Sequence, residues 1–387
     1  MNLVIHDLKE AEWNKIKGQY EGWNVISDDG AIKPCVGCFG CWVKTPGQCV
    51  IKDGYDRMGA YYAEAKEVVI ISRYTFGGFS GFIKNVMDRS IGYILPFFEF
   101  RKGEMHHKSR YKNKICFTVH FYGEDISKED EALAKTYVEA VGLNINAEKC
   151  SVDFHYFKEL EDTYLNDCSQ NPVEHNPVEH QKPLFINCSY RENRAQSKVY
   201  LEKIAQQMKS EVDFVHLIHY ANNDEELMKK CVAAKTIVFG MPLYVDGVPS
   251  QAVRILEKLY AKDKGNTKKI YVVAGMGFYE SKQIRNLMNI MENWAKKTGY
   301  EFCGGLAIGA GEMIGPLLTK MPLNQGPVKN VGEGIVMLAE AIETGKTMDV
   351  AYKNPYMFPR IAYMAAANAG WGPNGKSNGL TKKDMYK

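Results

Sequence analysis

The same order of elements occurs twice along this chain, and this duplication constrains the fold more than any other feature of the sequence. The apolar runs EVVIIS (67–72) and TIVFGMP (236–242) are each followed by the pattern Tyr-x-x-Gly-x-x-Ser-x-x-x-Lys/Arg. Further along, KNKICFTVHFYG (112–123) is echoed by TKKIYVVAGMGFYE (267–280). Continuous apolar runs are typical of strands that are buried on both faces of a parallel sheet. Helical patterns follow each echo, so the sequence predicts two α/β units, each a doubly wound parallel sheet with right-handed crossovers.

The stretch NDCSQNPVEHNPVEHQK (166–182) separates the two copies. It has few apolar residues and carries the pentapeptide NPVEH in tandem, a composition that favours an exposed linker. With 387 residues the chain is long enough for two domains, each with its own core. We therefore predict a first domain over 1–165, a linker over 166–182, a second domain over 183–325, and a C-terminal helical extension and tail over 326–387.

Composition argues against several functional classes. The 49 basic residues nearly balance the 46 acidic ones, so nothing indicates binding to nucleic acid or to an anionic membrane surface. No apolar stretch reaches the roughly 18 residues of a spanning helix. The start MNLVIHDLKEAEW has acidic residues where a secretory signal would carry basic and then apolar ones. Ten cysteines without an export signal are typical of reduced thiols, so we expect a cytoplasmic protein.

The second copy opens with a strand, a polar loop and a helix, in the run PLFINCSYRENRAQSKVYLEKI (183–204). A loop that leads into a helix N-terminus offers backbone N–H groups and the positive end of the helix dipole to an anion. The hydroxyl, amide and guanidinium groups that suit a phosphate belong to Ser189, Arg191, Asn193, Arg194, Gln196 and Ser197. The alternative is that Ser197 is only a helix N-cap and that the arginines are solvated. The first copy lacks such a loop, and Asp7, Glu10 and Glu12 would repel phosphate there.

Four cysteines, Cys35, Cys38, Cys41 and Cys49, form the run C-x2-C-x2-C-x7-C. This spacing lets the sulfurs converge on one centre, and the intervening glycines let the backbone turn. A triplet with a more distant fourth thiolate is the ligand set that a [4Fe–4S] cluster needs. Structural zinc more often uses two separated C-x2-C pairs. The run leaves three interpretations open: an iron–sulfur cluster, a zinc site, or free or redox-active thiols.

These features resemble the flavodoxin-like NAD(P)H-dependent FMN reductases, in a tandem two-domain form. In that family the first strand leads into a G-S-P-R-x-x-x-S loop that holds the FMN phosphate. The run NCSYRENRAQS (187–197) is similar to this loop, with Cys188 and Tyr190 in place of Gly and Pro. The cysteine run is similar to that of iron–sulfur flavoproteins. The resemblance implies two tandem flavodoxin-like domains, FMN as the cofactor, and NADH or NADPH as the electron donor.

The resemblance also implies which loops contact the flavin ring. The family's third strand ends in Pro-x-Tyr, and the loop after its fourth strand lies against the isoalloxazine. The corresponding residues here are Pro242, Leu243, Tyr244, Gly275, Gly277, Phe278 and Tyr279.

The sequence offers no catalytic acid or base with persuasive spacing, and a flavin enzyme needs none, because the cofactor carries the electron chemistry. The resulting hypothesis is an FMN-dependent NAD(P)H oxidoreductase that reduces an unidentified small-molecule or protein acceptor. The four cysteines would form an electron relay or a structural site. The alternatives are a flavin and iron–sulfur electron carrier without a small-molecule substrate, and a flavin-free scaffold. By analogy with other proteins of this fold, we also expect a homodimer. The balanced charge predicts no binding to nucleic acid or to a membrane surface.

Overall fold

The computed structural model describes residues 1–156 and 182–387. The linker predicted over 166–182 lies outside the described residues, apart from its last position. None of the helices in this part of the chain combines the length and the apolar character that crossing a bilayer requires.

The described residues form strands and helices that alternate through most of the chain. The strands are β1 (Leu3–His6), β2 (Asn24–Ser27), β3 (Glu67–Thr75), β4 (Gly78–Phe79), β5 (Ile94–Arg101), β6 (Glu104–Ser109), β7 (Cys116–Gly123), β8 (Lys149–Tyr156), β9 (Leu184–Asn187), β10 (Asp213–His216), β11 (Thr236–Pro242), β12 (Lys269–Gly275), β13 (Glu301–Ile308) and β14 (Ala351–Lys353). The helices are α1 (Glu10–Ile16), α2 (Gly40–Val43), α3 (Met58–Glu64), α4 (Gly81–Arg89), α5 (Lys128–Asn144), α6 (Gln196–Ala205), α7 (Glu225–Ala233), α8 (Ser250–Asp263), α9 (Arg285–Thr298), α10 (Gly311–Leu318), α11 (Lys329–Thr344) and α12 (Arg360–Lys376).

The chain divides into two compact units. The described residues of unit one are 1–156, Tyr244–Asp246 and Arg360–Lys387, and those of unit two are 182–243 and 247–359.

Unit one is built on a parallel sheet with the strand order β2-β1-β3-β7-β8. The short strand β4 pairs with β3 in the antiparallel direction, and β5 and β6 form a separate antiparallel hairpin. Lys102 and Gly103, at the tip of this hairpin, both have positive φ, as a tight two-residue hairpin turn requires. Helix α5 begins with a capping box between Ser127 and Asp130, which pairs backbone N–H groups at the start of the helix.

Unit two is built on a fully parallel sheet with the strand order β10-β9-β11-β12-β13-β14. The order of its first five strands, like that in unit one, is the doubly wound order of flavodoxin-like folds. The prediction of two tandem units, each with a doubly wound parallel sheet, is therefore confirmed. The central strands β9 and β11 are buried through almost their whole length, as their continuous apolar sequences require.

Helix α11 shows how one amphipathic pattern builds the core of unit two. Its residues Val331, Ile335, Leu338 and Ile342 recur at helical spacing, and all of them are buried in the core cluster. The same helix exposes Val336, which retains 45% of its accessible surface. It ends at Gly345, whose φ of 65° provides the left-handed cap that glycine adopts without a Cβ clash.

We predict that Ile335→Ala destabilises unit two by about 2–5 kcal/mol, because it removes buried methyl groups and leaves a cavity. Val336→Ala, the neighbouring substitution on the exposed face, should change stability by no more than about 0.5 kcal/mol. Urea denaturation followed by tryptophan fluorescence measures both, since Trp294 is buried within unit two. Equal effects of the two substitutions would contradict the packing of α11.

Candidate functional site

The candidate site lies at the carboxyl ends of β9, β11 and β12 in unit two. Strand β9 pairs with β10 on one side and with β11 on the other, so the direction of chain progression reverses between β9 and β11. Open α/β sheets bind ligands in the crevice at such a reversal. The loop 188–195, with most of the predicted phosphate ligands, begins at this point.

The first residues of this loop are fixed by hydrogen bonds from neighbouring elements. The Cys188 N–H donates to the Gly240 carbonyl at 2.8 Å, and Gln251 Nε2 donates to the Cys188 carbonyl at 3.0 Å. The next residue, Ser189, is buried, and its Oγ accepts the Arg191 N–H at 3.3 Å. The loop therefore leaves β9 as a tight turn with a defined conformation.

Helix α6 begins directly after this turn, with Ala195 as its N-cap. Alanine has no side-chain oxygen, and within the described residues no side chain caps this end of the helix. The N–H groups of the first turn therefore keep their capacity to bind an anion. Ser197 is not the N-cap; it is buried, and its Oγ donates to Asn187 Oδ1 at 2.7 Å.

The remaining predicted phosphate ligands differ in their surroundings. Arg191 Nη1 forms an ion pair with Glu312 Oε1 at 3.0 Å, while Asn193 and Arg194 lie exposed in the same turn. The side chain of Gln196 packs on α10, because a Cβ on Gly315 would lie 1.5 Å from Gln196 Oε1. We call residues 188–198 the anion cradle. It combines N–H groups, two buried serines and two guanidinium groups in one short segment.

The residues predicted to contact the flavin ring lie at the ends of β11 and β12. Pro242 and Gly275 are register partners, and the Leu243 N–H donates to the Gly275 carbonyl at 3.0 Å. Only glycine fits at position 275, since a Cβ there would come within 2.5 Å of the Tyr200 ring. The structure therefore brings these three residues together at one edge of the sheet.

The loop that follows β12 is tied down by its neighbours. The Phe278 carbonyl accepts the Ala310 N–H at 2.6 Å, and Tyr279 Oη donates to the Phe358 carbonyl at 2.6 Å. Phe278 itself is buried. Gly277, Phe278 and Tyr279 thus sit in a loop with a fixed backbone next to the end of β12.

Tyr244, also predicted to contact the flavin, belongs to unit one in the structure. Its carbonyl accepts a hydrogen bond from Lys84 Nζ at 2.8 Å, and buried Lys84 is also paired with Asp88. The next two residues, Val245 and Asp246, have φ values of 42° and 56°, which is unusual for residues with a Cβ. Burial raises the pKa of Asp246 to about 6.

Unit one has a different arrangement at the position of the anion cradle. Strand β1 ends at His6, in register with the end of β2, as β9 ends at Asn187 in unit two. Asp7 follows at once, and its two carboxylate oxygens accept the Arg73 N–H at 3.0 and 3.1 Å. Burial raises the pKa of Asp7. A hydrogen bond with the Ser80 side chain and the charge of Arg73 oppose that rise. A protein carboxylate therefore lies where an anion cradle would begin.

The four cysteines of the run lie close together in unit one. Burial raises the pKa of Cys35 to about 12 and that of Cys41 well above its ordinary value. The charges of other cysteines of the run add to both rises, so these thiols lie within electrostatic range of one another. Within 1–156 and 182–387, however, no group of three or more His, Cys, Asp or Glu side chains is arranged as a preformed metal site.

Arg89 anchors the fourth cysteine of the run. Its Nε donates to Cys49 Sγ at 3.1 Å. Its other donors reach both carboxylate oxygens of Asp53, at 2.8 and 2.9 Å, and the carbonyls of Lys33 and Ile51. All five guanidinium N–H groups are therefore used, and Cys49 is held beside a buried positive charge.

The C-terminal segment Arg360–Lys387 packs against residues 35–49, which we call the cysteine loop. The Trp371 ring stands edge-on to Phe39 at 5.6 Å and to Trp42 at 5.4 Å, two residues that flank Cys41 in the sequence. Asn368 donates to the Phe98 carbonyl at 3.1 Å and accepts the N–H of the same residue at 2.6 Å.

Sequence reasoning missed several of these residues. Asn187 and Glu312 bear directly on the cradle, and Arg89 and Trp371 bear on the cysteine loop. Asn187 is a polar residue at the end of a buried strand and immediately precedes the predicted loop, and this position could have indicated a role in the loop. The partners of the other three are 40 or more residues away along the chain, and no local pattern reveals them.

The comparisons with known proteins are limited to structures. The sequence matches no protein-family model, and no curated protein is similar to it. A flavone reductase matches 44% of this chain and 66% of its own length, at 15% identity and a TM-score of 0.33. The azoreductase AzrA and an azoreductase from Bacillus anthracis str. Sterne match 42% and 43% of this chain and 100% of their own, both at 13% identity and a TM-score of 0.31. We therefore take the fold from the strand order rather than from these similarities.

We predict that Trp371→Ala increases the rate at which iodoacetamide modifies Cys41. Trp371 forms two aromatic pairs, each worth about 0.5–1.5 kcal/mol, so loss of both should make the cysteine loop open at least about fivefold more often. Mass spectrometry of the modified peptides measures the rate. Ile361→Ala, on an exposed part of the same helix, should leave the rate unchanged. An unchanged rate in Trp371→Ala would contradict shielding of the cysteine loop by this segment.

Proposed function

We propose that the protein is an FMN-dependent NAD(P)H oxidoreductase and that unit two binds the FMN phosphate in the anion cradle. The observation that carries this proposal is the start of α6, which Ala195 leaves uncapped beside buried Ser189 at the reversal of strand order. A dianionic phosphate accepts several N–H bonds at once and is favoured by the helix dipole. The residues present therefore fit the phosphate end of FMN.

The electrostatics of the cradle favour this ligand. Arg194 is exposed in the turn, and Arg191 lies three residues before it with one donor on Glu312. Guanidinium groups pair with phosphate through two parallel hydrogen bonds, which fixes orientation as well as charge. The cradle would thus hold one end of the cofactor in a single orientation.

The ends of β11 and β12 would receive the ring system. Bound FMN supplies the chemistry of accepting two electrons from reduced nicotinamide and passing them to an acceptor. The chain's own part is to hold the ring and exclude water. Pro242, Leu243 and Gly275 provide a joined backbone edge for this, and the loop with Gly277, Phe278 and Tyr279 is already tied in place. The acceptor remains a small molecule or protein of unidentified chemistry.

We predict that the protein binds FMN more tightly than riboflavin, which lacks the phosphate, and that Arg194→Gln reduces this preference by about tenfold. Fluorescence titration of both flavins measures it. Lys230→Gln, an exposed substitution on α7 with the same change of charge, is the control and should retain the preference.

We also predict that the FMN-loaded protein loses its flavin absorbance when it is mixed anaerobically with NADH or NADPH. Bleaching by neither nucleotide would favour an electron carrier, and no flavin binding would favour a scaffold.

For unit one, we propose that Cys35, Cys38, Cys41 and Cys49 hold a [4Fe–4S] cluster. Four thiolates are the ligand set for such a cluster, and all four cysteines belong to one loop whose thiols influence one another's pKa. Arg89 donates to Cys49, and the charge of Arg110 opposes the rise in the pKa of Cys41, so positive groups accompany the thiolates. The cluster would stabilise unit one or take part in electron transfer.

We predict that anaerobic reconstitution loads about four irons and four sulfides per chain, and that Cys41→Ser removes most of this iron. Cys231→Ser, a buried cysteine in unit two, should retain it. Iron, sulfide and zinc analyses decide among the three interpretations. Zinc without sulfide would indicate a zinc site, and neither metal would leave the cysteines as free or redox-active thiols.

A further inference from the structure

Asn187, the last residue of β9, connects three parts of the anion cradle through one side chain. Its Oδ1 accepts from Ser197 Oγ at 2.7 Å and from the Ser189 N–H at 3.4 Å. Its Nδ2 lies 3.0 Å from Nδ1 of His216, the last residue of β10. Asn187 is fully buried, so none of these bonds can be exchanged for one to water.

The two donors on Oδ1 determine the direction of the third bond. Because Oδ1 accepts from Ser197 and Ser189, Nδ2 is the group that faces His216, and Nδ2 can only donate. Nδ1 of His216 must therefore accept, so the neutral ring carries its proton on Nε2. A proton on Nδ1 would set two donors against each other at this contact.

We propose that Asn187 is the positioning residue of the anion cradle and that it holds Ser197 and Ser189 in place only while His216 is neutral. This inference rests on the proposed function, since it concerns the same cradle and the phosphate of FMN. It adds a coupling between proton uptake at the end of β10 and phosphate binding at the start of α6.

The surroundings of His216 agree with a neutral ring. Burial lowers its pKa, and the charge of His219 lowers it further. Glu192 opposes this, as does Glu202, while Lys198 acts in the same direction as His219. Glu192 is itself hydrogen-bonded to His219, at 2.9 Å. A lowered pKa keeps His216 neutral at pH 7, so that it takes up a proton only as the pH falls below the ordinary histidine value of about 6.5.

Unit one provides an internal comparison. His6 occupies the position in unit one that is equivalent to Asn187, because each is the last residue of the first strand of its sheet. His6 is the register partner of Ser27 at the end of β2, as Asn187 is of His216 at the end of β10. The His6 ring stacks on Trp13 at 4.0 Å, and neither of its nitrogens has a hydrogen-bond partner among the described residues. The copy that lacks the connecting asparagine is thus also the copy in which Asp7 lies at the start of the cradle position.

The test measures the ratio of the riboflavin to the FMN dissociation constant between about pH 5 and pH 8, the range in which histidine titrates. This ratio isolates the contribution of the phosphate. We expect Asn187→Leu and His216→Leu each to lower the ratio about tenfold at neutral pH, because buried groups lose their partners. His216→Asn keeps an acceptor near the position of Nδ1 and should retain the ratio.

The pH profile separates positioning from a general loss of structure. In the wild type the ratio should fall as the pH drops through the lowered pKa of His216. The phosphate of FMN also takes up a proton near pH 6, and His216→Asn should show this shallower decrease alone. Circular dichroism checks the fold of each variant. If Asn187→Leu does not fold, comparison of the wild-type and His216→Asn pH profiles still tests whether the cradle is coupled to His216.

The possible outcomes are distinct. A wild type that never prefers FMN to riboflavin would overturn the proposed function, and this inference with it. A clear preference that survives Asn187→Leu would overturn only the positioning role of Asn187. Identical pH profiles for the wild type and His216→Asn, or a wild-type ratio that rises at low pH, would overturn the coupling to His216.

Discussion

Burial of the central strands on both faces is the constraint on which the rest of each unit depends. Ile237, Val238 and Phe239 of β11 are at most 1% exposed, although their side chains alternate between the two faces of the sheet. Helices must therefore cover both faces, and the connections between parallel strands must cross over in one hand. This arrangement brings the carboxyl ends of β9, β11 and β12 to one edge. The candidate site is a consequence of that geometry before any particular side chain is considered.

The two copies use the same edge differently. In unit two, Asn187 joins β9, β10 and α6, and the cradle that follows carries Arg191 and Arg194. In unit one, Asp7 accepts the backbone N–H of Arg73 where a phosphate would otherwise approach. A carboxylate at the first position after the strand disfavours a phosphate there, because like charges repel at short distance. We therefore propose that the chain binds one flavin, in unit two, and that unit one contributes its cysteine loop.

The duplicated strands could be predicted from the sequence, because burial on both faces leaves a continuous apolar run such as EVVIIS or TIVFGMP. The start of α6 could also be predicted, from the change from a polar loop to a helical pattern. The connection from Asn187 to His216 could not, since 29 positions separate them and only the strand order brings them together. The same holds for Trp371, whose contacts with the cysteine loop depend on the fold of unit one. The spacing of the cysteines indicated which thiols would be neighbours but not how their sulfurs are arranged.

We propose that one unit, and not both, holds a flavin phosphate. Isothermal titration of the full-length apoprotein with FMN, together with flavin analysis after acid release, measures the stoichiometry most directly. We expect one FMN per chain, and we expect replacement of both Arg191 and Arg194 by glutamate to weaken FMN binding at least to the level of riboflavin. Two FMN molecules per chain, or an unchanged FMN affinity in this double variant, would contradict binding of the phosphate in the anion cradle.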